Sequence, residues 1–231
     1  MEPWRNPEVL EMRAQAHYID LPYHNWEHAT SVRDRCRQLA TVCFTQGMEV
    51  DFEVLEAAAL WHDAGFHLPK EQYGLGSVAK SWSKEHYSMY LAAIDLQDLG
   101  MPDEKIGKVI EAIASTEAGI DCTSLEGRIL AQADIENVGG DIMVFLKNTL
   151  NLYKEAGMLN AGAVPSLMEY AKRSYGYLQQ FLSKDLSLGE FDVDPETGTS
   201  FLCARGFKNS RLLISPPHQL KRWFDQARKA A

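Results

Sequence analysis

Phe52-Glu53-Val54-Leu55-Glu56-Ala57-Ala58-Ala59-Leu60-Trp61-His62-Asp63-Ala64-Gly65 decides the fold class. Val54, Leu55, Ala57, Ala58, Ala59, Leu60 and Trp61 put apolar groups on nearly every side of a helix, and such a helix belongs in a core. Asp51 stands before it as an N-cap. The run ends on two side chains that no core needs, His62 and Asp63, with Gly65 just beyond.

Working outward, the same helical period recurs. Toward the N-terminus, a helix begins near Asn25, with Ala29, Val32, Cys36, Leu39, Ala40 and Cys43 inward, and Gly47 ends it. A shorter helix, Pro7 to His17, precedes it, and Asp20-Leu21-Pro22 breaks the chain between the two. Toward the C-terminus, Ala64 to Val78 reads as a loop: three glycines, Pro69 and mixed polar residues. Ser81 or Ser83 caps a fourth helix that runs to Leu99 and stops at Gly100. Pro102, Asp103 and Glu104 open a fifth, which reaches Thr116. A sixth, Leu125 to Val138, carries Asp134. Two further helices span Asp141 to Ala156 and Pro165 to Leu182. Beyond Ser183 the pattern turns irregular, with room for a small hairpin between Asp185 and Arg205, before a terminal amphipathic helix from Pro216 to Ala230. The expectation is an all-α protein, one helical bundle over 1–182 with an irregular extension, 183–231, packed on the same domain.

Composition narrows the function classes. At 231 residues, with 45% hydrophobic and 24% charged residues, the chain can bury a sizeable core. A net charge of −9 repels phosphate backbones, so broad nucleic-acid binding and anionic membranes are excluded as expected partners. A small anionic substrate stays open, because a bound metal reverses the local sign. Cys36, Cys43, Cys122 and Cys203 form no C-x-x-C pair, which argues for reduced thiols over a zinc ribbon. No apolar leader or membrane-length run is present, so the expected compartment is the cytoplasm.

Two stretches carry the chemistry: Tyr23-His24-Asn25-Trp26-Glu27-His28-Ala29, and Ala59-Leu60-Trp61-His62-Asp63-Ala64-Gly65. Asp134 adds a charge to a helix whose other positions, Ile129, Leu130, Ala133 and Ile135, look like core. A carboxylate there is costly unless paired or metal-bound. Taken in this order, the region from about Tyr23 to Gly139 resembles the HD superfamily of metal-dependent phosphohydrolases. The resemblance implies that His28, His62, Asp63 and Asp134 hold one divalent ion. The set accepts Mn, Mg, Co, Ni, Fe or Zn and leaves positions for water. Tyr23-His24-Asn25 through Ala29 is also similar to the signature of cyclic-nucleotide phosphodiesterases, which makes His24 the expected general acid; the alternative is a plain helix-entry histidine. In small HD phosphohydrolases a Glu followed three residues later by Ser stands where Glu85 and Ser88 stand. That implies Glu85 as the carboxylate orienting water, against an exposed helix residue. Thr116 matches a position facing the site, or is simply a helix-end threonine. Lys84, with Lys80 and Lys147, is a candidate phosphate contact, or a solvated helix lysine.

The departures matter as well. A Gly-Tyr-Pro motif is missing, no Glu-Asp follows the His-Asp pair, and His67 lies one residue too far for the phosphodiesterase pattern. The resemblance therefore implies a small HD phosphohydrolase acting on a nucleotide or other small phosphate ester through metal-activated water. Two alternatives stand beside it. One is a non-catalytic HD module that binds a nucleotide and signals. The other is a di-iron oxygenase with His86 as an extra ligand, although Thr116 stands where a further histidine is expected. Leu220, Trp223, Phe224 and Ala227 of the last helix suit a cap on the core or a homodimer contact.

Overall fold

The computed structural model describes residues 2–66, 83–160 and 164–229. Among them the chain is 70% helical, with 11 helices and no strand. The chain divides into two compact units: residues 1–20 with 24–133, and residues 21–23 with 134–231. This division rests on compactness, a different ground from the border drawn at Ser183.

In the first unit the order is α1 (Pro7–Gln15), α2 (Trp26–Thr45), α3 (Phe52–Trp61), α4 (Lys84–Asp98), α5 (Asp103–Ala114) and α6 (Leu125–Asp134). The buried helix is α3, with Val54, Leu55 and every residue from Ala57 to Trp61 at 2% exposure or less. It packs on α1, α2, α4 and α5, so one helix forms the hub of four. The caps are local and polar. Asn25 accepts from His28 N, Asp51 from Val54 N and Ser83 from His86 N, which satisfies backbone donors that a helix start leaves bare. At the end of α4, Gly100 takes φ +81° and Met101 N returns to Leu96 O at 2.9 Å, a Schellman stop that a side chain would strain.

The second unit holds α7 (Glu136–Gly139), α8 (Ile142–Leu159), α9 (Leu167–Leu182), α10 (Phe201–Ser210) and α11 (Pro217–Lys229), with 3-10 turns at Glu190–Asp192 and Arg211–Ile214. Residues 21–23 belong to it for a visible reason. Tyr23 N donates to Glu155 Oε2 at 3.1 Å, and Asn137 Nδ2 donates to the Tyr23 hydroxyl at 2.7 Å. The last helix buries Leu220, Phe224 and Ala227 and packs on α8, so its apolar face caps its own chain.

Two expectations are corrected here. The sixth helix does not run to Val138: the backbone at Ile135 leaves the helical region (φ −99°, ψ 15°), which separates α6 from α7. The extension is also less irregular than expected, because Phe201–Ser210 is a helix. Gly206 lowers its helical propensity. The same glycine lets α10 approach α9, where a Cβ would come within 2.8 Å of Leu182. The hairpin reduces to one bridge, Val193 with Ser200. The loop expected over 64–78 falls outside the described residues after Phe66, as do Ser81, Lys80 and His67. Among the described residues, no helix is long and apolar enough to cross a membrane.

Candidate metal centre

His28 lies in the first turn of α2, because the Asn25 cap starts the helix three residues earlier. His62 and Asp63 follow directly on the last residue of α3, Trp61, and are 0% and 1% exposed. Asp134 is the last residue of α6, a helix that begins in the first unit. Each of the four offers one ligand atom, and these atoms all lie within 4.8 Å of one another.

Around Asp63 Oδ2, Nε2 of His62 stands at 3.1 Å, Nε2 of His28 at 3.4 Å and Nε2 of His24 at 3.9 Å. Yet Oδ2 is buried and has no hydrogen-bond partner. The tautomer of His62 sharpens this. Its Nδ1 lies 2.8 Å from Ala59 O, a carbonyl that can only accept, so Nδ1 carries an N–H, and in the neutral ring Nε2 keeps its lone pair. A lone pair facing a carboxylate oxygen at that distance repels it unless a cation or a proton lies between. Metal–ligand bonds of about 2.0–2.2 Å put neighbouring ligand atoms roughly 3 Å apart, close to the spacings found here. Two imidazoles and two carboxylates suit a borderline divalent ion, and the backbone bond to His62 Nδ1 is the usual support for an imidazole ligand. The residues present fit a metal.

Burial by itself would push Asp63 up. The positive field of His62 when its ring is protonated, of the Lys84 ammonium and of a protonated His24, with the contact from His28, outweighs burial and holds its carboxyl well below the ordinary range. Asp63 is thus an anion ready to take a cation.

The surrounding candidates fall into two sets. His24 stacks face to face on Phe66, with ring centroids 3.7 Å apart, and its ring meets His28 edge-on at 5.9 Å. Lys84 Nζ reaches Asp63 Oδ1 at 2.7 Å and Glu85 Oε1 at 3.2 Å. Glu85 is 4% exposed, so the exposed-residue alternative does not describe it. Thr116 is buried, and its described bond runs to Ile113 O in its own helix end. His86 is about half exposed and bonds Ser83 Oγ through Nδ1 at 2.7 Å; it is not one of the four-residue group.

Several residues of the centre escaped the sequence reading. Phe66 is one. The packing role of Gly65, which the sequence marked only as the glycine of the motif, is another: a Cβ there would run into Tyr87 Cβ and come within 2.6 Å of Ser88 N, so only glycine lets the turn after Asp63 lie against α4. Gly65 N then donates to Ser88 Oγ at 3.0 Å. Behind the site, Trp61 Nε1 donates to the buried carboxylate of Asp95 at 3.0 Å, and Tyr18 donates to Leu60 O at 3.0 Å. The glycine after His-Asp and the serine three beyond Glu85 were the signals available. Trp61 with Asp95 left none.

No family model matches the chain, and no curated protein matches it. An all-helical chain with a His/Asp group able to hold a metal ion is compatible with an HD-type fold.

Proposed function

We propose that this protein is a metal-dependent phosphohydrolase of the HD type, cleaving a nucleotide or another small phosphate ester with activated water. The observation that carries the reading is the buried Asp63 Oδ2, which has no hydrogen-bond donor and faces the imidazole nitrogens of a four-residue His/Asp group. A divalent ion held by His28, His62, Asp63 and Asp134 supplies Lewis acidity toward a phosphoryl oxygen and lowers the pKa of water.

The remaining work falls to the chain's own side chains. His24 stands outside the ligand group but within 3.9 Å of Asp63 Oδ2, and its stack on Phe66 fixes the plane of its ring. An imidazole so held is suited to give a proton to a leaving oxygen. Glu85, buried beside Lys84, is suited to accept a hydrogen bond from the attacking water and orient it.

The test is a phosphate-release screen of nucleotides and phosphomonoesters with Mn, Mg, Co, Ni, Fe and Zn, with Asp63→Ala as the control that loses its metal. Turnover of at least one ester by the wild type and none by the control is expected. Nucleotide binding without turnover on any ester or metal would move the reading to the non-catalytic signalling module. Oxygen consumption by a two-iron form would move it to the oxygenase.

A further inference from the structure

The two oxygens of Asp63 keep different company. Oδ2 faces imidazole nitrogens, whereas Oδ1 receives the Lys84 ammonium at 2.7 Å. Lys84 also lies 3.2 Å from Glu85 Oε1, so its charge is drawn between two buried carboxylates. Its side chain is only 22% exposed. Its place in the chain makes this more pointed. Lys84 is the first residue of α4, where the helix macrodipole disfavours a cation. The helix gains nothing from a lysine there, and the two carboxylates do.

The geometry points to Lys84 as a positioning residue that commits Asp63 to a single oxygen. With Oδ1 taken by the ammonium, Asp63 offers a metal ion Oδ2 alone. A carboxylate left to itself binds a cation through one oxygen or two. A second Asp63 oxygen would fill a position that water or a substrate oxygen needs in an open hydrolytic site. The ammonium also repels the cation it stands beside. Lys84 therefore weakens metal binding and keeps the coordination shell open. This differs from a phosphate contact, whose loss would raise KM and leave metal binding as it is. The role in metal binding rests on the ligand group; its value for turnover rests on the proposed hydrolase reading.

The test compares the wild type with Lys84→Met, Lys84→Gln and Lys84→Arg. Mn2+ is titrated against a competing chromophoric chelator, and the visible spectrum of the Co2+ form is recorded. Removing the ammonium should tighten Mn2+ binding about tenfold or more in the Met and Gln variants and change their Co2+ band intensities. The Arg variant, which keeps a cation on Oδ1, should stay within about threefold of wild type. Two neutral variants are used so that a fold defect in one, seen by circular dichroism, leaves the other to decide. Unchanged or weaker Mn2+ binding in a folded neutral variant overturns the inference, as does an Arg variant that behaves like Met. Unchanged Mn2+ binding with a raised KM would make Lys84 the phosphate contact instead. If the wild type binds Mn2+ but cleaves no ester, the proposed reaction falls, and the Mn2+ titration still decides Lys84 in either direction.

Discussion

His24 and His28 are the same residue type four positions apart, one before the Asn25 cap and one in the first turn of α2, and they meet different surroundings. His28 contributes to the four-residue group, while His24 leans on Phe66. His24→Ala should therefore keep its metal and its helical signal. On esters with alkoxide leaving groups it should lose roughly 10²–10⁴ in rate, and less on p-nitrophenyl esters, whose leaving group needs no proton. Metal analysis beside the two rates checks this: loss of metal would make His24 a ligand, and wild-type rates on both would make it structural. A second residue-scale prediction concerns Asp95. Burial pushes its carboxyl up, but bonds from His17, Trp61 and Arg13 hold it below its ordinary value of 3.8. A depressed pKa stabilises the fold above the unfolded value and loses that contribution as pH falls through the folded one. Urea midpoints at about pH 7 and about pH 3 should thus converge more in Asp95→Asn than in wild type. At this scale the ligand residues were legible, because His-Asp and the earlier histidine are motif positions. Asp95 was not, since a carboxylate on an amphipathic helix looks the same whether it faces water or an indole.

Among elements, the C-terminal end of α3 is held from two sides. Tyr18, just beyond α1, takes the Leu60 carbonyl; α4 takes the Trp61 indole through Asp95 and the Gly65 amide through Ser88. The turn carrying His62 and Asp63 is thereby clamped on both flanks. Gly65→Ala inserts a methyl where Tyr87 Cβ and the α4 backbone already stand. It should cost about 1–3 kcal/mol of stability and weaken Mn2+ binding, measured by denaturant unfolding and chelator competition. A substitution at Gly107, whose added Cβ would meet nothing within 4 Å, should do neither. Most elements were legible because their apolar residues keep helical period and their caps are Asn, Asp or Ser. Two boundaries were not. The break at Ile135 follows no glycine or proline. In α10 the glycine that lowers propensity is the one that makes room for Leu182.

For the whole molecule, the net charge of −9 sets what the surface attracts. Duplex DNA and anionic vesicles should fail to retain the protein at about 150 mM salt, in gel-shift and co-sedimentation assays. Retention of either would mean that local basic clusters override the total. The all-helical class was legible from one buried helix and its neighbours, whereas the division into two units was not. The bonds that draw residues 21–23 into the second unit join positions 114 and 132 apart, and no spacing rule reaches so far. That membership has a consequence for synthesis. Tyr23 leaves the ribosome 132 residues before Glu155, the acceptor of its amide. At about 5–20 residues per second the wait is roughly 7–26 s. During most of it α1, α2, α4 and α5 can assemble on α3, while Asn137 and Glu155, which bond the tyrosine preceding His24, are still to be made. The stretch ahead of His24 is therefore among the last parts of the chain to be tied down, although it is among the first to be made.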